Sequence, residues 1–205
     1  SSRRRHTRYI SVTGVQTCAL PISFTNAHQY WRILTGATTH ASILHVVMNC
    51  YAFYSFGRIF ELLSNRAHLA IVFLLSALGG GVLSLVLQPD SISVGASGGI
   101  VGLVSYLAVY SFKRRAFITA EFRRSLLTNI GFILVFGLVL YQVVDNWGHI
   151  GGLITGAVYG LLQISTDEYS DPREAGIVVR IAGVASLGLY IAGCMLSVFL
   201  IFRYF

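Results

Sequence analysis

The sequence has few charged residues. Asp, Glu, Lys and Arg make up only 11% of its 205 residues, while 55% are hydrophobic. A soluble domain carries about a quarter charged residues, so this composition excludes an ordinary soluble domain and indicates a protein built for lipid. Cysteine is also scarce: Cys18, Cys50 and Cys194 are widely separated and have no CxxC spacing. We therefore expect no disulfide framework, no metal site and no cofactor.

The net charge of +7 raises the question of a nucleic-acid partner. Most of the basic residues fall in short stretches between apolar runs, where membrane topology explains their positions. We therefore predict that the chain has no nucleic-acid partner and that its surroundings are a lipid bilayer.

Six apolar runs are long enough to cross a bilayer, which requires roughly 20 residues for each. Charged residues lie only at the ends of these runs, as Arg58 and Arg180 do. We predict an all-α fold, a polytopic membrane helix bundle. Its six transmembrane helices are expected near 41–60, 68–88, 94–112, 125–143, 147–164 and 177–202.

The loops between these runs alternate in charge. The loops "QPDSIS" and "QVVDNWG" contain no lysine or arginine, whereas the loops after the first, third and fifth runs are basic. By the positive-inside rule the basic loops are cytoplasmic and the other two face outward. The basic residues of these loops are Arg58, Arg66, Lys113, Arg114, Arg115, Arg123, Arg124, Arg173 and Arg180.

The first residues do not fit this topology. Residues 1–23 would lie outside, although the stretch "SSRRRHTR" carries four arginines, and they contain no run able to span a bilayer. We interpret 1–23 as a non-native segment that resembles translated sequencing-adapter read-through. The alternative is a basic, disordered tail. In either case we expect that one transmembrane helix is missing upstream.

Four polar residues are predicted at a similar depth below the outer surface. His45 and Asn49 lie four residues apart in the outer half of the first run, and therefore on one helix face. Ser97 lies about four residues into the third run, or roughly 6 Å, and His149 lies just below the start of the fifth. Because buried polar groups in a membrane are costly, they usually mark a site.

These residue types suit nucleophilic catalysis. Serine needs a neighbouring base, and imidazole is the usual one. The oxyanion that follows needs preorganised donors, which His45, Asn49 and the backbone N–H of Ser97 can offer. Gly95 and Gly98 allow backbones to approach closely, where a Cβ would block them.

Glycines also recur every four residues on the fifth run, a spacing that lets one membrane helix pack tightly on another. We predict that this stripe packs on the Ser97 helix, through its Gly98 and Gly102. The stripe consists of Gly148, Gly152, Gly156 and Gly160.

Five stretches, taken in order, resemble motifs of the rhomboid family of intramembrane serine proteases. "GASGG" is similar to GxSG, "HVVMN" to HxxxN, and "GHIGGLITG" to AHxxGxxxG, with Gly148 standing where alanine is commoner. The resemblance implies that Ser97 is the nucleophile, His149 the general base, and His45 and Asn49 the oxyanion-hole side chains.

The other two stretches resemble supporting parts of the family. "YWRILTGATTH" is similar to the tryptophan-arginine stretch before the second helix, and "FGRIFE" to the GxxxE at that helix's cytoplasmic end. The residues to which the resemblance gives structural support roles are Gly95, Gly98, Gly152, Gly156, Trp31, Arg32 and Glu61.

The resemblance also implies a domain plan and an activity. Residues 24–165 would form the rhomboid core without its first helix, 166–176 a cytoplasmic linker, and 177–205 the extra helix of the six-plus-one type. Such a protein would cleave transmembrane protein substrates near the outer membrane face with a Ser-His dyad. We expect a multi-pass protein of the bacterial inner membrane.

Several alternatives stay open. Asp145, four residues before His149, is either the third member of a triad or a solvated loop carboxylate, and the resemblance favours a dyad. Val101 stands where some family members carry an aromatic that stacks on the catalytic histidine. His6, His28 and His68 are expected at the surface.

Two other functions compete with proteolysis. The first is a non-catalytic, rhomboid-like protein that binds membrane clients, although such relatives typically lose the serine or the histidine. The second is a channel or transporter, which is disfavoured because no acidic residue falls within the predicted spans.

Overall fold

The computed structural model describes residues 28–89, 93–141, 144–167 and 169–203, so the predicted non-native segment 1–23 lies outside the described residues. The described part is a bundle of helices, as the composition predicts. The helices are α1 (Arg32–Thr38), α2 (Ile43–Leu63), α3 (Arg66–Leu87), α4 (Ser97–Lys113), α5 (Ala120–Val139), α6 (Asn146–Gln163) and α7 (Ile177–Arg203).

Helices α2 to α7 correspond one to one with the six predicted spans, which confirms the predicted fold class. The bounds differ most in α5, which begins at Ala120 rather than at 125, because Thr119 caps it by accepting a hydrogen bond from Phe122 N. The short helix α1 was not predicted. It ends at Thr38, before the extended residue Thr39.

Three helices of the described part are long and apolar enough to cross a membrane by themselves: α3, α5 and α7. Helix α4 has 17 residues, which span about 25 Å at 1.5 Å per residue. It lies at the centre of the bundle, and most of its side chains are buried against protein. Its composition therefore reflects helix packing more than contact with lipid.

The core of the bundle forms around α4. Tyr106, Leu103 and Leu107 are fully buried there, and the Tyr106 ring stacks on Phe60 of α2 with centroids 4.4 Å apart. Helix α7 packs on α3 and α1 at the outside. On α2, Tyr51 and Tyr54 are largely exposed, as expected for lipid-facing aromatics.

The predicted glycine contact between α4 and α6 is confirmed. A Cβ added to Gly152 would overlap the carbonyl of Gly98, and one added to Gly156 would overlap the carbonyl of Gly102. The two backbones are therefore in direct contact, which only glycine allows at these positions.

The prediction that His68 lies at the surface is wrong. His68 is only 3% exposed, and its Nδ1 lies 2.7 Å from the hydroxyl of Tyr159 on α6. Helix α3 begins at Arg66, so its first turn directs His68 toward α6. His28 is exposed, as predicted, and His6 lies outside the described residues.

Candidate active site

Ser97 lies at the N-terminus of α4 rather than one turn inside it. The residues before it are not helical, because Gly95 adopts a φ of +120°, which glycine reaches without a steric cost. The Gly95 N–H donates to the carbonyl of Gly36 in α1, at 2.9 Å. Helix α1, missed by the sequence analysis, therefore anchors the turn that presents Ser97.

His149 lies in the first turn of α6 and faces Ser97. Its Nε2 is 3.0 Å from Ser97 Oγ, a hydrogen-bonding distance. The close glycine contact between α4 and α6 brings these two helix starts together. The structure thus places side by side the two residues that the sequence predicts as nucleophile and base.

Asp145 neither reaches His149 nor stands free in solvent. It is half-buried, it caps α6 by accepting a hydrogen bond from Gly148 N at 2.8 Å, and it accepts another from the hydroxyl of Ser93. The Nδ1 of His149 is buried and has no hydrogen-bond partner among the described residues. Asp145 is therefore a partly exposed carboxylate that caps the helix of His149, and the arrangement is a Ser-His pair.

His45 and Asn49 lie on α2 beside the same turn. A Cβ added to Gly95 would lie 2.8 Å from His45 Cε1 and 3.5 Å from Asn49 Nδ2. The Asn49 side chain is buried, and its Nδ2 has no hydrogen-bond partner among the described residues. The fold therefore holds a hydrogen-bond donor, the Asn49 amide, beside the Ser97 turn, and this donor has no acceptor among the described residues.

His40 also lies in this cluster. Its ring meets that of His45 edge to face, with centroids 5.0 Å apart, and its buried Nε2 has no hydrogen-bond partner among the described residues. In the sequence, His40 is indicated only as the last residue of the stretch "YWRILTGATTH", which resembles a family motif. Its contact with His45 depends on the turn between α1 and α2.

A small cleft opens beside the nucleophile. Its volume is about 20 Å³, and Gly80, Gly95, Ser97 and Gly148 are among the residues that line it. This volume is enough for one water molecule. Among the described residues, no group of three or more His, Cys, Asp or Glu side chains is placed to hold a metal ion.

The remaining predicted residues do not line the cleft beside Ser97. Trp31 is 44% exposed, and Arg32 is buried with its Nε donating to Gln29 Oε1 at 2.6 Å. Glu61 lies near the opposite end of the bundle and pairs with Arg66 at 3.3 Å. Val101, one turn after Ser97, is buried in the core.

A family model described as the Rhomboid domain matches residues 27–166, which is more than half of the chain and includes Ser97, His149, His45 and Asn49. The chain belongs to the rhomboid family. Rhomboid membership and the apolar helices together identify an integral membrane protein.

Several curated proteins are similar to this rhomboid chain. RHOMBOID-like protein 6, mitochondrial, of Arabidopsis thaliana is 32% identical over 75% of the chain and 52% of that protein. Rhomboid protease GluP of Bacillus subtilis is 33% identical over 62% of the chain and 25% of its own length. Inactive rhomboid protein 1 of Papio anubis is 30% identical over 62% of the chain and 15% of its length.

The chain thus spans about half the length, or less, of these three relatives. They come from a plant, a bacterium and an animal, and one carries a mitochondrial name. They support an integral membrane location and do not support the expected bacterial inner membrane in particular.

Proposed function

We propose that this chain is the membrane core of an intramembrane serine endopeptidase that cleaves transmembrane helices near the outer membrane face. The observation that carries the proposal is the 3.0 Å separation between Ser97 Oγ and His149 Nε2, in a chain of the rhomboid family. A serine hydroxyl is a weak nucleophile alone, and an adjacent imidazole activates it by accepting its proton.

The reaction proceeds in two halves. Ser97 Oγ attacks the scissile carbonyl carbon while its proton passes to His149 Nε2, and the carbonyl oxygen becomes an oxyanion. The imidazolium then gives this proton to the leaving amine, which departs as the C–N bond breaks. A water molecule deprotonated by His149 hydrolyses the acyl-enzyme and regenerates the serine.

The oxyanion needs donors that are already in place. The first N–H groups of a helix have no acceptor within that helix, and α4 begins at Ser97, so its N–H groups and positive helix end face the developing charge. The buried amide of Asn49 and the ring of His45 complete the proposed oxyanion hole from α2.

The substrate must be locally extended, because a helical backbone keeps its carbonyls within its own hydrogen bonds. Glycine at position 95 leaves room for such a strand, since a Cβ there would already meet His45. We therefore infer that helix-destabilising residues in a transmembrane substrate favour cleavage.

The decisive experiment compares Ser97→Ala with Ser105→Ala. Both serines lie on α4, but Ser105 only donates to the carbonyl of Leu153 on α6, at 2.7 Å. Ser97→Ala is expected to abolish both fluorophosphonate labelling and cleavage of a model transmembrane substrate in liposomes, with no loss of thermal stability. Ser105→Ala is expected to keep both activities.

The second candidate is a non-catalytic protein that binds membrane clients, and the relative named Inactive rhomboid protein 1 favours considering it. Under that hypothesis the wild-type chain retains a transmembrane client but is neither labelled nor able to cleave it. Turnover by Ser97→Ala at the wild-type rate would exclude the proposed nucleophile.

A further inference from the structure

A second polar site lies at the opposite end of α4 from Ser97. There, a cavity of about 600 Å³ is lined by residues that include Lys113, Arg114 and Arg115, together with the aromatic rings of Phe112 and Phe117. Among the residues that the structure describes, no acidic one belongs to this lining. Three consecutive cations around one cavity make it a strong attractor for an anion.

Arg114 is the least expected of these cations. Its residue is only 3% exposed, and its terminal nitrogen donates to the carbonyl of Ser170. Within the described part of the chain, its buried Nε has no hydrogen-bond partner and no carboxylate forms a salt bridge with Arg114. A buried donor without an acceptor is costly, and an anion in the cavity would supply an acceptor for this Nε.

The acidic residue closest in sequence to Ser170, whose carbonyl Arg114 contacts, already forms a salt bridge. Asp171 pairs with Arg173 at 3.1 Å. Hydrogen bonds from Arg173 lower the pKa of the Asp171 carboxyl, and the charge of Arg114 lowers it further. Asp171 therefore stays ionised beside Arg173. Neither Asp171 nor Asp167, which follows the lining residue Thr166, is among the described residues that line the cavity.

The other lining residues indicate what kind of anion fits. Lys113 Nζ donates to the carbonyl of Ile164 at 2.7 Å, at the C-terminal end of α6, which holds it at the edge of the cavity. Phe112 and Phe117 are 53% and 63% exposed. Cations beside exposed aromatic rings, at the end of a membrane helix, match the headgroup region of a bilayer.

We propose that this cavity binds the phosphate group of an anionic phospholipid. The guanidinium groups of Arg114 and Arg115 donate charge-assisted hydrogen bonds to the phosphate oxygens. Phe112 and Phe117 contact the glycerol and the first acyl carbons. The site is independent of the Ser-His pair and needs no catalytic step.

The test measures binding of fluorescent phosphatidylglycerol to the purified chain in phosphatidylcholine nanodiscs. Arg115→Gln is expected to weaken binding about fivefold, the equivalent of one surface cation, and Arg114→Gln about tenfold or more. Arg115 is exposed, so its variant keeps the fold even where Arg114→Gln fails to fold. The matched control is Arg124→Gln, an exposed arginine at the start of α5 that does not line the cavity.

Equal affinities for Arg115→Gln, Arg124→Gln and the wild-type chain would overturn the site. Competition with inorganic phosphate distinguishes a site for a lipid phosphate group from a site for free phosphate. It is expected to displace the lipid only weakly, because it makes no contact with Phe112 or Phe117. Displacement by inorganic phosphate as effective as by unlabelled phosphatidylglycerol would overturn the assignment to a lipid.

Discussion

At the scale of single residues, the amide of Asn49 combines burial with an unused donor. Neutral buried donors usually find a partner, and leaving one without an acceptor costs about 1–3 kcal/mol. Asn49 Nδ2 has none among the described residues and lies beside the Gly95 turn. A donor kept in this state is well placed to bind charge that forms only during a reaction.

Asn49→Ala is expected to lower the rate constant for substrate cleavage by about 10² to 10³-fold, because one oxyanion donor is lost. The measurement is kcat for a model transmembrane substrate in liposomes. Thermal stability is expected to stay constant or to rise, since an unpaired buried amide is removed. The control is Cys50→Ala, the exposed neighbour on α2, and an unchanged kcat for Asn49→Ala would remove Asn49 from the oxyanion hole.

At the scale of secondary-structure elements, the pairing of α4 with α6 decides whether the site exists. Ser97 and His149 each lie at the start of their helix, and a shift of about 1 Å between the helices would break their hydrogen bond. Backbone contact at Gly98 and Gly152 holds that distance. Small residues here would contribute to the proposed catalysis through geometry rather than through chemistry.

Gly152→Ala is expected to lower the free energy of unfolding by about 2 kcal/mol, because its Cβ overlaps the carbonyl of Gly98. Fluorophosphonate labelling of Ser97 should fall as well, because His149 moves with α6. The matched control is Gly131→Ala on α5, where a Cβ would meet nothing within 4 Å. That variant should be neutral or up to about 1 kcal/mol more stable. Equal behaviour of the two variants would contradict this packing.

At the scale of the whole molecule, the two ends of the bundle differ in chemistry. One end holds the Ser-His pair with His45 and Asn49. The other carries the cavity at Lys113, Arg114 and Arg115. The positive-inside rule predicts that the basic end is cytoplasmic, so the proposed active site is expected to open to the outer face.

This orientation is open to direct measurement by cysteine labelling in a cysteine-free background. Ala116→Cys, in the basic loop, should react with an impermeant maleimide only after the cell is opened. Tyr141→Cys, in the loop before α6, should react in intact cells. Both residues are exposed. The reverse pattern would place Ser97 at the cytoplasmic face and contradict the proposed site of substrate cleavage.

The sequence by itself determined the helix class and the approximate positions of helices α2 to α7, and it suggested the residues of the candidate site. These depend on local quantities: hydropathy over about 20 residues, the position of charges in loops, and short motifs around Ser97, His149 and His45. Each such signal lies within one segment, so it can be read without knowing which other segments pack against it.

Only the tertiary structure decided how these segments meet. Helix α1 is too short for a periodic pattern, yet Gly36 anchors the Gly95 turn. Asp145 and His149 are four residues apart, but Asp145 accepts from Gly148 N and caps the helix instead of orienting the imidazole. His68 looked like a loop residue until α6 brought Tyr159 against it. In each case the hydrogen-bond partner lies on another segment or depends on where a helix begins. A sequence pattern within one segment contains neither kind of information.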